Sequence, residues 1–466
     1  MTLPPEIVAL IDQLRAEISA LKLENAALLR RLGLDSSTSS KPPSSDGLGK
    51  KPRIKSSLRG RSGKRSGGQA GHRGDTLRQV ATPDKVERHE VSSCGQCQQP
   101  LAASMAVGAE RRQVFDLVTP RVEVVEHQAV IYRCACCRTT TRGVFPVGVI
   151  GPTQYGEQIR SAAIYLNVQH LVPEDRVSDI LRDMLGTGRL CPASIVGWGV
   201  KKAAELASVE ARIATLVAQA PVRHLDETGM RVAGKTQWLH VASTEQLTHY
   251  RVSPKRGAVP RLFSGGIVVH DHFKPYFSLK NIGHALCNAH HLRELQAVTE
   301  YDREPWANKM AHVLRAAAKA VRHAVARGQD ALGGPLLQRI DDLYDRIIRR
   351  GIEGHENRPP ISRKPGARGK TAKRDGHNLL IRLRDFKPEV LRFMADFNVP
   401  FTNNLAEQDV RMMKVKMKIS GGFRTETGAD IFVTLRSILS TARKQGWDIL
   451  KTLAAKPEEI IHQLHA

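Results

Sequence analysis

Three acidic residues stand in settings that suit metal-dependent phosphoryl chemistry: Asp226 in APVRHLDETGM, Asp271 in GGIVVHDHFKPY and Glu407 in FTNNLAEQDVRMMKVKMK. Asp226 and Asp271 each follow a short apolar, β-branched run, Val222 to Leu225 and Ile267 to His270. Such runs predict buried strands stopped by turn chemistry. Glu407 falls on a helix announced by Pro400 and by a cap region at Thr402, Asn403 and Asn404. Carboxylates at two strand ends and on one packed helix can hold two divalent ions about 4 Å apart, an arrangement that cleaves and joins phosphodiesters. Hard oxygen ligands suit Mg²⁺ or Mn²⁺ far better than zinc.

On a helix from about Asn404 to Lys418, Glu407, Arg411, Lys414 and Lys418 share a face beside an apolar stripe of Ala406, Val410, Met413 and Met417. The stripe reads as core. The cations, continued by Arg424, read as a phosphate track beside a metal ligand, and the plainer alternative is a solvated amphipathic helix with ordinary ion pairs. Should Glu407 not be the third ligand, Asp409 or Glu426 takes its place. No serine triad, phosphate loop or nucleophilic Tyr or Ser is expected.

Thiols supply the second chemistry. Cys94 and Cys97 form one CxxC; Cys134, Cys136 and Cys137 follow a β-rich stretch from Arg111 to Tyr132. Cys134 and Cys137 complete a matching CxxC, so these four predict a zinc ribbon with tetrahedral thiolate ligation, Cys136 competing for the fourth place. Cys287 and His290 in HALCNAHHLREL have CxxH spacing, but no further ligands lie close in sequence. They are therefore not read as a second zinc site, and the segment reads as a helix packing Leu286, Leu292 and Leu295 inward.

The elements that must position these groups follow from the rest of the chain. At 466 residues it holds several domains. Its formal charge of +25 and pI near 10.1 favour a polyanionic partner, nucleic acid before an anionic membrane. No run of about 18 apolar residues exists and the charged N-terminus does not suit a signal peptide, so a cytoplasmic, nucleoid-associated protein is expected. Seven cysteines there imply metal or free thiols. In residues 1–34, Ile11, Ile18, Asn25 and Leu32 occupy heptad position a, and Ile7, Leu14, Leu21 and Leu28 occupy d. This pattern predicts a parallel two-stranded coil and a homodimer or higher oligomer.

Residues 35–79 are a basic linker too poor in apolar side chains to fold alone. Ten cations and one acid lie between Lys41 and Arg73, with Lys50, Lys51, Arg53, Arg59, Arg61, Lys64 and Arg65 expected to touch phosphate. A zinc-finger segment (80–150) and a helical region (151–220) with a possible helix-turn-helix come next. From Pro221 the order is strand, Gly234 turn, strand, a short helix near Lys255 to Phe263, and the strand before Asp271. Glu407 lies 136 positions after Asp271, a gap read as helical through Ile348 and then a basic loop from Gly351 to Gly376.

The segments HLDETG, VVHDHFKPY, HALCNAHHLREL and NNLAEQDVRMMKVKMKISGGFRT resemble insertion-sequence-66 family transposases, a branch of the DDE transposases. The resemblance covers nearly the whole chain: zipper, SSKPPSSDG linker, zinc finger, core and C-terminal helices. It implies a multidomain α+β protein whose α/β catalytic core, residues 221–300 and 395–425, is ribonuclease-H-like. A helical insertion (301–394) and a C-terminal helical region (426–466) complete it. It also implies binding of the element's terminal inverted repeats, metal-dependent strand cleavage, strand transfer into target DNA, and accessory proteins of the same element. In such transposases the Cys/His pair lies near the active centre, so His290 is expected to orient a phosphate or a carboxylate. The rival readings are a DNA-binding regulator without catalysis and a hydrolytic nuclease of the same fold.

Overall fold

A computed structural model describes residues 4–33, 77–116, 122–258, 263, 265–359, 361 and 373–464. The linker cations Lys50 to Arg65 and residues 362–372 of the basic loop lie outside the described residues. The N-terminal helix α1 (Pro5–Gly33) exposes Ile7, Leu14, Ile18, Leu21, Leu28 and Leu32, the side chains assigned to the heptad seam.

The thiol segment contains one small hairpin, β1 (Ile131–Arg133) with β2 (Thr140–Arg142), both strands fully exposed. The β-rich stretch expected from Arg111 does not pair before Ile131 among the described residues. With Val107, Val114, Val124, Val144 and Val147 almost wholly exposed, this segment has little core to hold strands together.

Five strands form the central sheet: β3 (Val222–Val232), β4 (Lys235–Ser243), β5 (Thr248–Ser253), β6 (Ile267–His270) and β7 (Gly283–Leu286), in the order β5-β4-β3-β6-β7. β3, β4 and β5 are antiparallel neighbours, and β6 and β7 run parallel to β3. β5 and β7 are additions to the expected order. Leu286 therefore sits on a strand rather than on the helix that follows, and residues 254–258 form turns, not the helix expected near Lys255.

Ahead of the sheet come α2 (Glu157–Ile164), α3 (Glu174–Leu185), α4 (Pro192–Glu205) and α5 (Ala207–Gln219). Within the helical region expected over 151–220, α4 and α5 are separated by a break at Leu206. Val209, Ile213 and Val217 of α5 are buried with Leu225, Ala242 and Val268 of the sheet, which makes this helix part of the core. Gly186 and Gly188, both in the left-handed region, end α3 and lead into α4.

After β7 come α6 (Asn288–Ala297), α7 (Pro305–Val325), α8 (Gly334–Glu356), α9 (Asp375–Asp385) and α10 (Lys387–Ala395). They share an apolar cluster with Val269, Ala285 and Leu286, so the insertion grows out of the parallel half of the sheet. Gly351, expected in the basic loop, lies inside α8, where a Cβ would come within 2.7 Å of Leu380. The glycine lets α8 and α9 approach.

The chain returns through α11 (Asn404–Ser420), α12 (Glu426–Lys444), α13 (Ile449–Ala454) and α14 (Pro457–Gln463). Ala406, Val410 and Met413 of α11 are buried with Met230, Val232, Leu239 and Val241, as the stripe predicted. Helices cover both sheet edges. The Thr248 and Tyr250 amides of β5 donate to Thr441 Oγ1 and Ser437 Oγ of α12, at 3.1 and 2.9 Å. On the far side Arg392 Nε of α10 donates to His284 O of β7 at 2.7 Å. Edge groups that would otherwise invite another strand are thereby occupied.

Candidate active site

β3 runs on to Val232, so Asp226 does not end a strand as its sequence suggested. The parallel pairing with β6 does end there: Val222, Arg223 and His224 pair with Ile267, Val268 and Val269. Two residues further along each strand, this register sets Asp226 opposite Asp271. The same continuation from His270↔Leu286 sets Asp271 opposite Cys287, whose amide donates to His270 O at 2.9 Å. Three ligand-type side chains thus share one row at the carboxyl ends of the parallel strands, where open α/β sheets place their sites.

Glu407 enters from the first turn of α11. Its Oε1 lies 3.3 Å from His290 Nε2 and 3.8 Å from Cys287 Sγ, and its Oε2 lies 3.9 Å from the exposed Arg411. Lys414 is half-buried, Lys418 is exposed near the end of α11, and Arg424 is exposed in the turn between α11 and α12. Of the two partners expected for His290, a phosphate or a carboxylate, the one beside it is the Glu407 carboxylate.

Asn403 holds α11 in place. Asn403 is the N-cap residue of α11, as the sequence suggests, and its carbonyl accepts the Glu407 amide at 3.2 Å, but its side chain makes no capping bond. Its buried side chain reaches across to β3 instead: Nδ2 donates to Leu225 O at 2.7 Å and Oδ1 lies 2.9 Å from His224 Nδ1. Its backbone amide donates to Cys287 Sγ at 3.1 Å. Asn403 thus links the strand before Asp226, the residue after β7 and the helix carrying Glu407. Its cap-like sequence context concealed this role.

Electrostatics show how crowded the acids are. Burial lifts the Asp226 carboxyl from 3.8 to about 8; the Glu227 amide, 2.8 Å from Oδ1, opposes this, while Asp271, Glu407 and Glu227 add to it. Burial also pushes Glu407 up, but the His290 hydrogen bond, with His290, Arg293 and Arg411 as nearby charges, overrides it and holds Glu407 below its ordinary value. Asp271 Oδ1 accepts the Phe273 amide at 3.0 Å. The three acids do not close into a group with all ligand oxygens within 4.8 Å; among the described residues that group is Cys287, His290 and Glu407. A cavity of about 220 Å³ opens beside Asp271, Cys287 and His290, with Arg382 of α9 on its far wall.

The two alternatives to Glu407 are engaged elsewhere. Asp409 Oδ2 accepts Ser243 Oγ at 2.6 Å and pairs with Lys444 at 2.8 Å. Glu426 Oε1 accepts Gln237 Nε2 at 3.1 Å. Neither has electrostatic contact with Asp226.

In the thiol segment the knuckles repeat each other. The Cys94 amide donates to Gln99 O and the Gln98 amide to Cys94 O; the Cys134 amide donates to Thr139 O and the Arg138 amide to Cys134 O. Gln98 and Arg138 have φ of 61° and 55°. Cys137 therefore corresponds to Cys97, and Cys136 has no counterpart. The Cys137 thiol is lowered to about 7, chiefly by its Thr139 hydrogen bond, and Cys94 is lowered by hydrogen bonds around Cys97. The donor chemistry suits zinc, although no three of these thiols lie within 4.8 Å of one another.

Residues 152–431 match the family described as "Transposase IS66 family". The chain belongs to the IS66 transposase family. The match encloses Asp226, Asp271, His290 and Glu407. Residues 92–138 match the zinc-finger binding domain of transposase IS66, which encloses all five cysteines of the thiol segment and supports zinc as its metal. Residues 2–78 match a family of unknown function (DUF6444). No curated protein matches the chain. As an IS66 transposase it acts on DNA, in keeping with its charge. No helix of the described residues is long and apolar enough to cross a membrane.

Proposed function

We propose that this transposase is a DDE enzyme that binds the terminal inverted repeats of its element, cuts the strand there and joins the freed 3′-hydroxyl to target DNA. The observation that carries the reading is the convergence of Asp226 within β3, Asp271 just past β6 and Glu407 in the first turn of α11, close enough for Asp271 and Glu407 both to act on the Asp226 carboxyl. The sheet order, with one antiparallel hairpin arm and two parallel strands, supports a ribonuclease-H-like core. Three partly buried carboxylates with one proton held near neutrality are an incomplete set, and divalent cations supply the missing charge. Asp226, Asp271 and Glu407 would hold Mg²⁺ or Mn²⁺, which would supply positive charge for activating the attacking hydroxyl and stabilising the leaving oxygen. Asp226 must release its proton for that role.

The other residues bind and orient. Asn403 and His290 fix the Glu407 carboxylate, and Arg411, Lys414, Lys418 and Arg424 face the phosphate backbone of the strand being cut. The linker cations extend that contact without reading bases. Cys94, Cys97, Cys134 and Cys137 would hold one structural zinc, and α1 would pair two chains so that two element ends are held together.

The test is a nicking assay on end-sequence DNA with a mobility shift on the same preparations. Asp271→Asn and Glu407→Gln should each cut orders of magnitude more slowly while binding DNA as the parent does. Mn²⁺ should support cutting in place of Mg²⁺, and Ca²⁺ should support binding alone. Glu407→Gln cutting as fast as the parent would remove Glu407 from the site.

A further inference from the structure

We propose that Cys287, His290 and Glu407 form a second site for a thiophilic divalent cation, zinc above all, whose occupation takes Glu407 away from the catalytic acids and switches cleavage off. The inference rests on Glu407 being a catalytic ligand. CxxH spacing alone lacked partners; the fold supplies one from a helix 120 positions away.

The three ligand atoms lie within 4.8 Å of one another. Cys287 is the first residue past β7, and the His290 amide donates to Cys287 O at 3.1 Å, so the tight turn into α6 brings both side chains to one side. Glu407 approaches from α11. Tetrahedral zinc with bonds of about 2.0–2.3 Å separates its ligand atoms by roughly 3.3–3.7 Å. The observed separations are 3.3 Å for nitrogen to oxygen and 3.8 Å for sulfur to oxygen. A direct imidazolium–carboxylate bond would draw together to about 2.7–2.9 Å. The His290–Glu407 hydrogen bond is therefore a long one, and both separations lie close to those around a tetrahedral ion.

Two further features fit. The Asn403 amide donates to Cys287 Sγ at 3.1 Å, the kind of N–H···S contact that supports a metal-bound thiolate. His290 and Glu407 remain 18% and 19% exposed and Cys287 borders the cavity beside Asp271, which leaves a fourth position open to water. Ligand chemistry separates the two sites. Asp226, Asp271 and Glu407 offer oxygens alone, which suits Mg²⁺; sulfur and imidazole with one carboxylate suit zinc. Glu407 is common to both, so zinc in one weakens magnesium in the other.

The experiment uses the full-length protein, dialysed against zinc-buffered solution and analysed for metal. The parent should hold two zinc ions per chain, and Cys287→Ser and His290→Ala one each, the remaining ion belonging to the zinc finger. Serine keeps a hydroxyl for any purely positioning hydrogen bond to Glu407 but lacks the thiolate. Cobalt added as the second equivalent to the parent should give a tetrahedral visible spectrum with a single-thiolate charge-transfer band, a reading that needs no variant to fold. Magnesium-dependent cleavage should fall as zinc rises and recover with more magnesium, and Cys287→Ser should need about tenfold or more additional zinc for the same inhibition. One zinc in the parent, a second zinc retained by both variants, or cleavage indifferent to the second zinc would overturn the proposal. If no preparation cleaves DNA, the catalytic reading fails, while metal content and cobalt spectrum still decide the site.

Discussion

Replacing Asp226 by asparagine should make the magnesium-free protein more stable, by an amount that grows with pH. Asp226 keeps a thin exposed edge but is densely surrounded, and burial, reinforced by Asp271, Glu407 and Glu227, raises its carboxyl from 3.8 to about 8. A carboxyl raised on folding holds its proton more tightly in the folded state. Its contribution is complete below the unfolded value and is lost as the pH climbs to the folded one. Between about pH 4 and pH 8 each unit costs about 1.4 kcal/mol, so at pH 7 the loss is on the order of 4 kcal/mol. Asparagine has no proton to lose and escapes it. The variant should match the parent near pH 4 and melt roughly 8–15 °C higher at pH 7, taking about 2–4 °C per kcal/mol for a core of this size. Thermal melts followed by intrinsic fluorescence suit the test, because Trp198, Trp306 and Trp447 pack against the core and Trp238 lies on β4 of the central sheet. Saturating Mg²⁺ should erase most of the difference, since only the parent gains from the ion. A variant no more stable than the parent at pH 7, or a difference that does not change with pH, would refute the argument that crowded acids strain this site.

Asn403→Ala should cost roughly 2–4 kcal/mol in urea unfolding, because Leu225 O and His224 lose their buried partner; cleavage should fall further than stability explains, and unchanged cleavage would deny Asn403 its hold on Glu407. Gly422→Ala should lower the melting temperature of the core and leave the zinc content of the 92–138 segment unchanged: φ is +138° there and a Cβ would meet Arg231 O at 2.3 Å. A peptide of residues 92–138 should fold only with zinc and lose it on Cys97→Ser, whereas Cys136→Ser should keep it; metal titration by circular dichroism decides between them. Residues 1–40 should sediment as a dimer, and Asn25→Leu should tighten association while loosening the choice of oligomer; a monomer at high micromolar concentration would remove the zipper.

Chemistry and local periodicity were legible in the sequence. Asp226, Asp271 and Glu407 stood out because each sits at a change of pattern, and the α11 stripe of Ala406, Val410 and Met413 fixed which face that helix buries. The two CxxC knuckles were equally plain, Cys137 matching Cys97 by spacing, and the left-handed φ at Gln98 and Arg138 repeats that match in the fold. What tertiary structure decided is pairing. THYRVS and GHAL carry too few apolar residues to announce strands, and they become β5 and β7 because α12 and α10 supply partners for their edges. Asp226 looked like a strand end because the apolar run stops there, yet β3 continues in its antiparallel pairing with β4 and only its parallel partner stops. Asn403 does sit at the cap of α11, but its side chain looked like a local capping group because local bonding is all a sequence can weigh. In the fold a strand carbonyl and a buried histidine, 178 and 179 positions away, compete for the same amide and win it. Cys287 and His290 lacked a third ligand for the same reason. Glu407 reaches them through the closure of a 120-residue loop, which the burial of α11 against β3 and β4 stabilises and no local pattern encodes.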